Sequence, residues 1–369
     1  MNAIKKKVKL RRLPPPAAVT GMKVAAGHVE FVQPRAHKAM SVADHLPGIE
    51  WDGNLTNSAR STFLDCRKKF EWSYLRRLSP RTPSLPFLVG GLVHNGLERM
   101  YKTGGFDEEA ERRIATAECN KAAKTAGLTQ KMSDKIYSQA AMVMGILRGY
   151  ARHYLAKDLA KWEVLEAEAS FTYQLPNGWH AMGKRDMVVR EKRNGKPDPN
   201  GKVCLVEHKT AATIDASYVA KLPLDAQIIG YANSLLKKMG KIPDKVVYNV
   251  IKKVGIRQKE TETFNGYLKR VEDEYVNTPE NYFYRETIQF STEDIRNFEQ
   301  ELFTFAREME RALKEHFFYK NTQSCTRMGV CPFMQMCISG PTKENLMHFR
   351  IRSAVHEELT DNKDDGGIK

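Results

Sequence analysis

The chain has 369 residues, with 59 lysines and arginines against 44 aspartates and glutamates and a formal net charge of +15. Its mean hydropathy is −0.52, and it contains no apolar run of about 18 residues, which excludes a transmembrane helix. The positive balance indicates a polyanion as partner, and six cysteines are too few for a disulfide scaffold of this length.

The two ends of the chain differ in composition from its middle. Residues 1–50 carry a basic cluster and a run of prolines, so we expect a flexible basic leader, either simply solvated or acting as a nucleic-acid-binding arm. Residues 346–369 are expected to form a tail. The stretch between them, residues 51–345, is expected to fold as one domain with a helical insertion near residues 105–160.

Helical periodicity dominates the first part of this domain and returns after it. A Pro-containing break at residues 79–86 separates the first predicted helix from a second, buried one. The predicted helices are Thr56–Leu78, Phe87–Thr103, Asp107–Ala126, Ser133–Ala160, Leu222–Met239 and Thr292–Phe318.

The apolar pattern changes after residue 160. Shorter apolar runs bounded by turn signals at Asn177-Gly178 and at residues 195–201 predict strands. Their order relative to the helices predicts an α/β fold, a mixed central sheet flanked by helices on both faces. The predicted strands are Leu165–Leu175, Trp179–Arg190, Val203–Thr210 and Lys245–Ile251.

The sharpest chemical signal lies at the end of the predicted strand Val203–Thr210. Its apolar run leads into Glu207 and Lys209, which share one face because they are two residues apart. Asp186 on the preceding strand is expected to converge with Glu207 on one cation, and Mg²⁺ or Mn²⁺ prefers such carboxylate oxygens. The alternative is a surface salt bridge on an edge strand, because Glu-x-Lys is a common string.

Three further spaced motifs accompany this pair. Taken alone, the histidine among them is typical of a satisfied core residue, and the Gln-Tyr pair of the polar edge of an amphipathic helix. In chain order the motifs are Gly90-x-x-x-His94, Gly183-x-x-Asp186 and Gln227-x-x-x-Tyr231.

Together with Glu207-x-Lys209, these motifs resemble the RecB-type exonuclease branch of the PD-(D/E)XK nuclease superfamily. The resemblance covers the chain from about Asn57 to Cys337. It implies a restriction-endonuclease-like core and a phosphodiester hydrolase that uses Mg²⁺ or Mn²⁺.

The resemblance also implies a role for each matching residue. Around the metal ion it places His94, Asp186, Glu207 and the backbone carbonyl of His208. The catalytic residues would be Asp186, Glu207 and Lys209, with the lysine orienting the attacking water or stabilising transition-state charge. Gln227 and Tyr231 would support the site or contact DNA.

A second constellation consists of cysteines. Cys325, Cys331 and Cys337 follow a Cys-x5-Cys-x5-Cys pattern, and Cys66 lies far upstream. The set predicts a four-sulfur site for zinc or an iron–sulfur cluster, or else incidental cysteines. Some RecB-type nucleases carry one cysteine before the histidine helix and three after the core, which implies a [4Fe-4S] cluster here. The equal gaps of five differ from the familiar pattern, and structural Zn²⁺ stays an alternative.

The first predicted helix interleaves basic and aromatic residues. This pattern is typical of a surface that contacts phosphates and stacks bases, and equally of an ordinary helix with an aromatic core face. The residues concerned are Arg60, Arg67, Lys68, Lys69, Arg76 and Arg77 with Phe63, Phe70, Trp72 and Tyr74.

The predicted function is a metal-dependent DNA nuclease, an exonuclease on DNA ends or single strands, in recombination, repair or viral DNA processing. Because the sequence shows no helicase motif, unwinding would need a separate helicase or recombination protein. The alternatives are a non-catalytic nucleic-acid-binding protein on a nuclease-like fold, or a nuclease of CRISPR spacer acquisition. The expected location is the bacterial cytoplasm, or the host cytoplasm if the protein is viral, without membrane association.

Overall fold

The computed structural model describes residues 46–125, 128–327 and 329–359, together with two short strands, Val24–Ala25 (β1) and His28–Val29 (β2). These two strands pair with each other in a unit that ends at His45, and a second unit begins at Leu46. The rest of the predicted basic leader, and the predicted tail beyond residue 359, lie outside the described residues.

The second unit is built around a mixed sheet with the order β3-β6-β7-β8-β9, in which β5 pairs with β6. Strands β7 and β8 pair in parallel, as do β3 and β6. The pairs β5–β6, β6–β7 and β8–β9 are antiparallel. The strands are β3 (Asn54–Leu55), β4 (Leu78–Pro80), β5 (Trp162–Gln174), β6 (His180–Glu191), β7 (Val203–Ala211), β8 (Lys245–Lys252), β9 (Phe283–Ile288) and β10 (Phe349–Ile351).

Helices surround this sheet, and none among the described residues is long and apolar enough to cross a membrane. Two five-residue π-helical segments, Glu71–Leu75 and Ala151–Leu155, extend helices. The α-helices are α1 (Asn57–Asp65), α2 (Arg67–Phe70), α3 (Leu85–Thr103), α4 (Glu108–Ala123), α5 (Gln130–Tyr137), α6 (Gln139–Tyr150), α7 (Ala156–Lys161), α8 (Ala216–Ala220), α9 (Ala226–Met239), α10 (Phe264–Asn277), α11 (Thr292–Lys314), α12 (Met334–Ser339) and α13 (Lys343–Leu346).

The predicted α/β architecture is confirmed, because the sheet carries helices on both faces. Alternate residues of β6, β7 and β8 pack against α9 on one face, as Leu205 and Val250 do with Leu235. The intervening residues, such as Val206, pack against α3, α6 and α10 on the other face. Both faces of the central strands are therefore buried, which explains their nearly continuous apolar runs.

Some predicted boundaries are wrong. The helix predicted over Thr56–Leu78 is interrupted at Cys66, whose extended backbone (φ −161°, ψ 115°) separates α1 from α2. The prediction also missed α10 and β9, because both fall in a stretch rich in charged and polar residues. Helix α10 buries only one face, and β9 is an edge strand whose residues are mostly half-exposed.

The two ends of the second unit meet in a small cluster of their own. Strand β10 pairs with β4 in antiparallel register, Phe349 opposite Pro80, although residues 346–369 were expected to form a tail. Trp72 packs there with Phe333, Met336 and other apolar residues. Residues near position 350 are thus fastened to residues near position 75.

Candidate nuclease active site

The candidate site lies where two antiparallel strands separate. The β6–β7 ladder runs from Arg190–Val203 to Met187–Val206 and stops there, while β7 continues along β8 to Ala211. Asp186 and Glu207 are therefore the first residues beyond the last pair. The ladder thus ends next to the two residues that the sequence motifs predicted to converge from neighbouring strands.

Asp186 is held from two sides. The backbone N–H of His208 donates a hydrogen bond to Asp186 Oδ2 at 2.7 Å, and His94 Nδ1 from α3 lies 3.4 Å from the same oxygen. Burial alone would raise the pKa of Asp186, but the neighbouring His94 lowers it, so the group is a carboxylate. Burial disfavours charge on His94, yet Asp186 raises the pKa of this imidazole.

Glu207 and Lys209 contact each other as predicted from their spacing. The Lys209 ammonium contacts Glu207 Oε1, and Glu207 is 0% exposed. Burial, and then the charge of Asp186, raise the pKa of Glu207 to about 8. Burial opposes the charge of Lys209, but Glu207 and Asp186 raise its pKa, so the lysine stays an ammonium ion.

Helix α9 supplies a support for this lysine. Lys209 Nζ donates to Gln227 Oε1 at 2.8 Å, and Gln227 Nε2 donates to the Tyr231 hydroxyl at 2.6 Å. The helix begins at this place because the Asp225 side chain accepts from the Gln227 N–H and caps it. Gln227 and Tyr231 thus reach the site from one helical face, four residues apart.

Glu168 is a site residue that the motifs did not reveal. Its carboxylate lies 3.9 Å from His94 Nδ1 and 3.0 Å from Lys184 Nζ. Its backbone adopts φ +51°, a conformation that non-glycine residues rarely hold and that often marks functional positions. Glu168 reaches the site because of the register in which β5 pairs with β6. Periodicity along the sequence does not specify that register.

Three ligand atoms, one each from His94, Glu168 and Asp186, lie within 4.8 Å of one another. Glu207 lies outside this group, and its Oε2 is buried without a hydrogen-bond partner among the described residues. Two clustered carboxylates, an imidazole and an unpartnered buried carboxylate oxygen fit a hard divalent cation such as Mg²⁺ or Mn²⁺. The structure therefore brings together His94 and Asp186 of the predicted ligand set, and adds Glu168 to them.

A cleft of about 250 Å³ leads to these side chains. The first turn of α1, including Asn57 and Ser58, forms part of its wall, and Phe171, Phe298 and Leu302 form an apolar part. The cleft wall is thus partly apolar and partly polar.

The basic and aromatic helix predicted upstream has an aromatic core face. Phe63, Phe70, Trp72 and Tyr74 are all buried, at 1%, 0%, 5% and 6% exposure, so they are not placed to stack on bases. Two of the basic residues also pair internally, Arg67 with Glu308 and Lys69 with Asp65. The stacking interpretation of this segment is wrong.

The four cysteines of the second constellation gather at one place. Cys331 N–H donates to Cys325 O at 2.8 Å, and Asn321 N–H donates to Cys66 Sγ at 3.4 Å. Burial, and then the nearby Cys325 and Cys337, raise the pKa of Cys331. Burial, and then Cys66, do the same to the pKa of Cys337. The four thiols are free and partly exposed, whereas Cys119 and Cys204 are buried in a helix and a strand.

A family model of the PD-(D/E)XK nuclease superfamily matches residues 54–338. This chain is also similar to a crystal structure named "Putative exonuclease" from Eubacterium rectale, with 12% sequence identity and a TM-score of 0.37. The match covers 85% of this chain and 100% of the other. Curated proteins give no match. The family model spans most of the chain, including every residue of the candidate site and the four cysteines. This protein therefore belongs to the PD-(D/E)XK nuclease superfamily.

Proposed function

We propose that the protein is a DNA nuclease that depends on Mg²⁺ or Mn²⁺ and acts as an exonuclease on DNA ends or single strands. The observation that carries the proposal is the meeting of Asp186, Glu207 and Lys209 where β6 and β7 separate, beside His94. A decayed, purely binding relative would be expected to have lost at least one of these charged groups. All are present and in mutual contact or charge interaction, and the two carboxylates are buried.

His94, Glu168, Asp186 and Glu207 would hold the ion in this proposal, as would the His208 carbonyl by family resemblance. When bound, the ion activates water and neutralises charge on the phosphodiester. Lys209 keeps its charge and, held by Gln227, is placed to stabilise negative charge that develops on the phosphate.

The test is cleavage of end-labelled linear and circular DNA, single- and double-stranded, with Mg²⁺, with Mn²⁺ and with EDTA. We expect Asp186→Asn and Lys209→Met to lose at least a hundredfold in rate, while Lys269→Met, in an exposed ion pair on α10, keeps wild-type activity. Loss of linear but not circular substrates would identify an exonuclease. Undiminished cleavage by both site variants would contradict the assignment, and tight DNA binding without cleavage would favour the non-catalytic alternative.

We further propose that Cys66, Cys325, Cys331 and Cys337 hold a [4Fe-4S] cluster, as in RecB-type relatives. Tetrahedral zinc with Zn–S bonds of about 2.3 Å would bring its sulfurs about 3.8 Å apart. In a cluster, each thiolate would instead bind its own iron. Structural Zn²⁺ stays the alternative.

The proposed processes are DNA recombination, repair or viral DNA processing, in the cytoplasm of a bacterium or of a virus-infected host. A separate helicase or recombination protein would open duplex DNA, because the sequence shows no helicase motif. Reconstitution with a candidate helicase on blunt duplex DNA tests this, because we expect cleavage of the duplex to depend on unwinding.

A further inference from the structure

The residue between Glu207 and Lys209 turns its side chain away from the cleft. His208 belongs to the opposite face of β7, where it is 3% exposed and packs among Tyr101 and Tyr150, with ring centroids 6.0 Å from each. Its backbone N–H is the group that donates to Asp186. The same residue therefore connects the acidic site to a buried polar network behind the sheet.

Asn249 of β8 is the cross-strand partner of His208 and is fully buried. Its Nδ2 lies 2.8 Å from His208 Nδ1 and 3.0 Å from the Tyr150 hydroxyl. Because an amide nitrogen only donates, its two hydrogens serve these two acceptors, and His208 Nδ1 must be unprotonated. Burial lowers the pKa of His208 to about 3, in keeping with a neutral ring.

The far end of the network is an ion pair. Arg285 of β9 donates to both carboxylate oxygens of Asp158, at 2.7 and 3.0 Å, and also to the Tyr150 hydroxyl at 3.2 Å. Tyr101 hydroxyl donates to Asp158 at 2.6 Å and lies 2.7 Å from the Tyr150 hydroxyl. Donors and acceptors thus alternate from Arg285 to His208.

This arrangement restrains the peptide that carries the His208 N–H. In a buried polar network a displaced member leaves a desolvated group unpaired, so the hydrogen bonds that are made favour one arrangement. His208 Nε2, Asn249 Oδ1 and Arg285 Nε are buried without hydrogen-bond partners among the described residues. Asn249 is its only member in direct hydrogen-bond contact with the His208 ring among the described residues. The ring is thus held to Asn249 of β8, while the backbone N–H of the same residue donates to Asp186.

We propose that Asn249 is a positioning residue of the nuclease site: by holding the His208 ring, it fixes the peptide that anchors Asp186 for metal binding. This inference rests on the proposed metal-dependent nuclease function. Outer hydrogen-bond partners of metal ligands typically change metal affinity or activity by about 10- to 100-fold when removed. Tyr150 would then act on the site both through this amide and through its own ring contact with His208.

The experiment compares Asn249→Leu, of similar size but without donors, and Tyr150→Phe, which removes one hydroxyl of the network. Tyr275→Phe is the matched control, since Tyr275 is equally buried in the same core. Within the described part of the chain, its hydroxyl hydrogen-bonds only to the backbone of Lys252 and Val254. For each purified protein, Mn²⁺ binding is measured by electron paramagnetic resonance titration, alongside kcat, KM and thermal unfolding.

We expect Asn249→Leu to weaken Mn²⁺ binding about tenfold or more and to lower kcat with little change in KM for DNA. Tyr150→Phe should shift Mn²⁺ affinity in the same direction by less, and Tyr275→Phe should leave it unchanged at a similar loss of stability. If Asn249→Leu does not fold, Tyr150→Phe against Tyr275→Phe decides the matter. Equal Mn²⁺ affinity in the network variants and wild type overturns the inference. Failure of wild type to bind Mn²⁺ would instead overturn the proposed function.

Discussion

Glu168 of β5 lies directly across from Asp186 of β6, between the register pairs Ala167–Met187 and Ala169–Arg185. The left-handed backbone at Glu168 (φ +51°) coincides with a side chain that reaches His94. An unfavourable backbone conformation and a contact with His94, a candidate metal ligand, thus occur at one residue.

Replacing Glu168 separates its chemistry from its strain. Glu168→Ala and Glu168→Gly both remove the carboxylate, so we expect both to weaken Mn²⁺ binding and to slow cleavage by at least tenfold. Glycine alone accepts a positive φ without cost, so Glu168→Gly should be more stable than Glu168→Ala by about 1 kcal/mol. Urea unfolding and Mn²⁺ titration check this, and unchanged metal affinity in both variants would remove Glu168 from the site.

The protonation of Glu207 predicts a pH dependence of stability without metal. Burial, then Asp186, raise the pKa of Glu207 from 4.5 to about 8, so between these values the folded state holds a proton that the unfolded chain has lost. Stability should therefore be highest below the lower value and fall as pH rises toward the upper one, at most by about 1.4 kcal/mol per unit.

Glu207→Gln removes this titration and serves as the comparison. In EDTA, we expect the free energy of unfolding of wild type to decrease relative to that of Glu207→Gln between pH 5 and pH 8. The difference between the two proteins should level off at higher pH. A difference that stays constant across this range would show that Glu207 is ionised throughout.

The cysteine group predicts a coloured protein. Anaerobically purified wild type should be brown, with absorbance near about 400 nm and bound iron and sulfide, as expected of thiolate-held clusters. Cys66→Ser and Cys331→Ser should lose this absorbance and unfold at lower temperature, because α1 loses its link to the C-terminal segment. The matched control Cys119→Ala, in α4 and away from the group, should keep it. A colourless protein with stoichiometric zinc would exclude the cluster.

Two helical glycines predict opposite effects of the same substitution. A Cβ at Gly145 of α6 would lie 2.3 Å from Val271 Cγ1 and 3.3 Å from the Glu272 backbone nitrogen, so Gly145→Ala should destabilise through overpacking by about 1–3 kcal/mol. A Cβ at Gly91 of α3 meets nothing within 4 Å. Gly91→Ala should therefore stabilise by up to about 1 kcal/mol through helix propensity. Urea unfolding of both variants measures the two changes, and equal signs would contradict the packing described for α6.

The residues that sequence reasoning found share local spacing. Glu207 and Lys209 are two apart on a strand, and Gln227 and Tyr231 four apart on a helix, so their side chains had to emerge on one face whatever the tertiary structure. The strand context of Asp186 was likewise visible in its apolar run. Local periodicity is therefore enough for the motifs and for the sheet core.

The residues that sequence reasoning missed depend on register and on long-range pairing. Glu168 reaches the site only because β5 is paired with β6 in one particular register, and a shift of one residue would turn it away. Asn249 lies within an apolar run of β8. Its cross-strand neighbour Arg285 lies in β9, which was not predicted because its composition is polar. The spacing of residues along the chain does not predict such contacts.

The antiparallel pairing of β10 with β4 has a consequence for how the enzyme is made. A ribosome releases α1, which forms one wall of the cleft, hundreds of residues before Phe349 and the last cysteines emerge. Until then this wall lacks the C-terminal segment that fastens it. Newly synthesised chains thus complete the packing around this wall only after Phe349 has emerged from the ribosome.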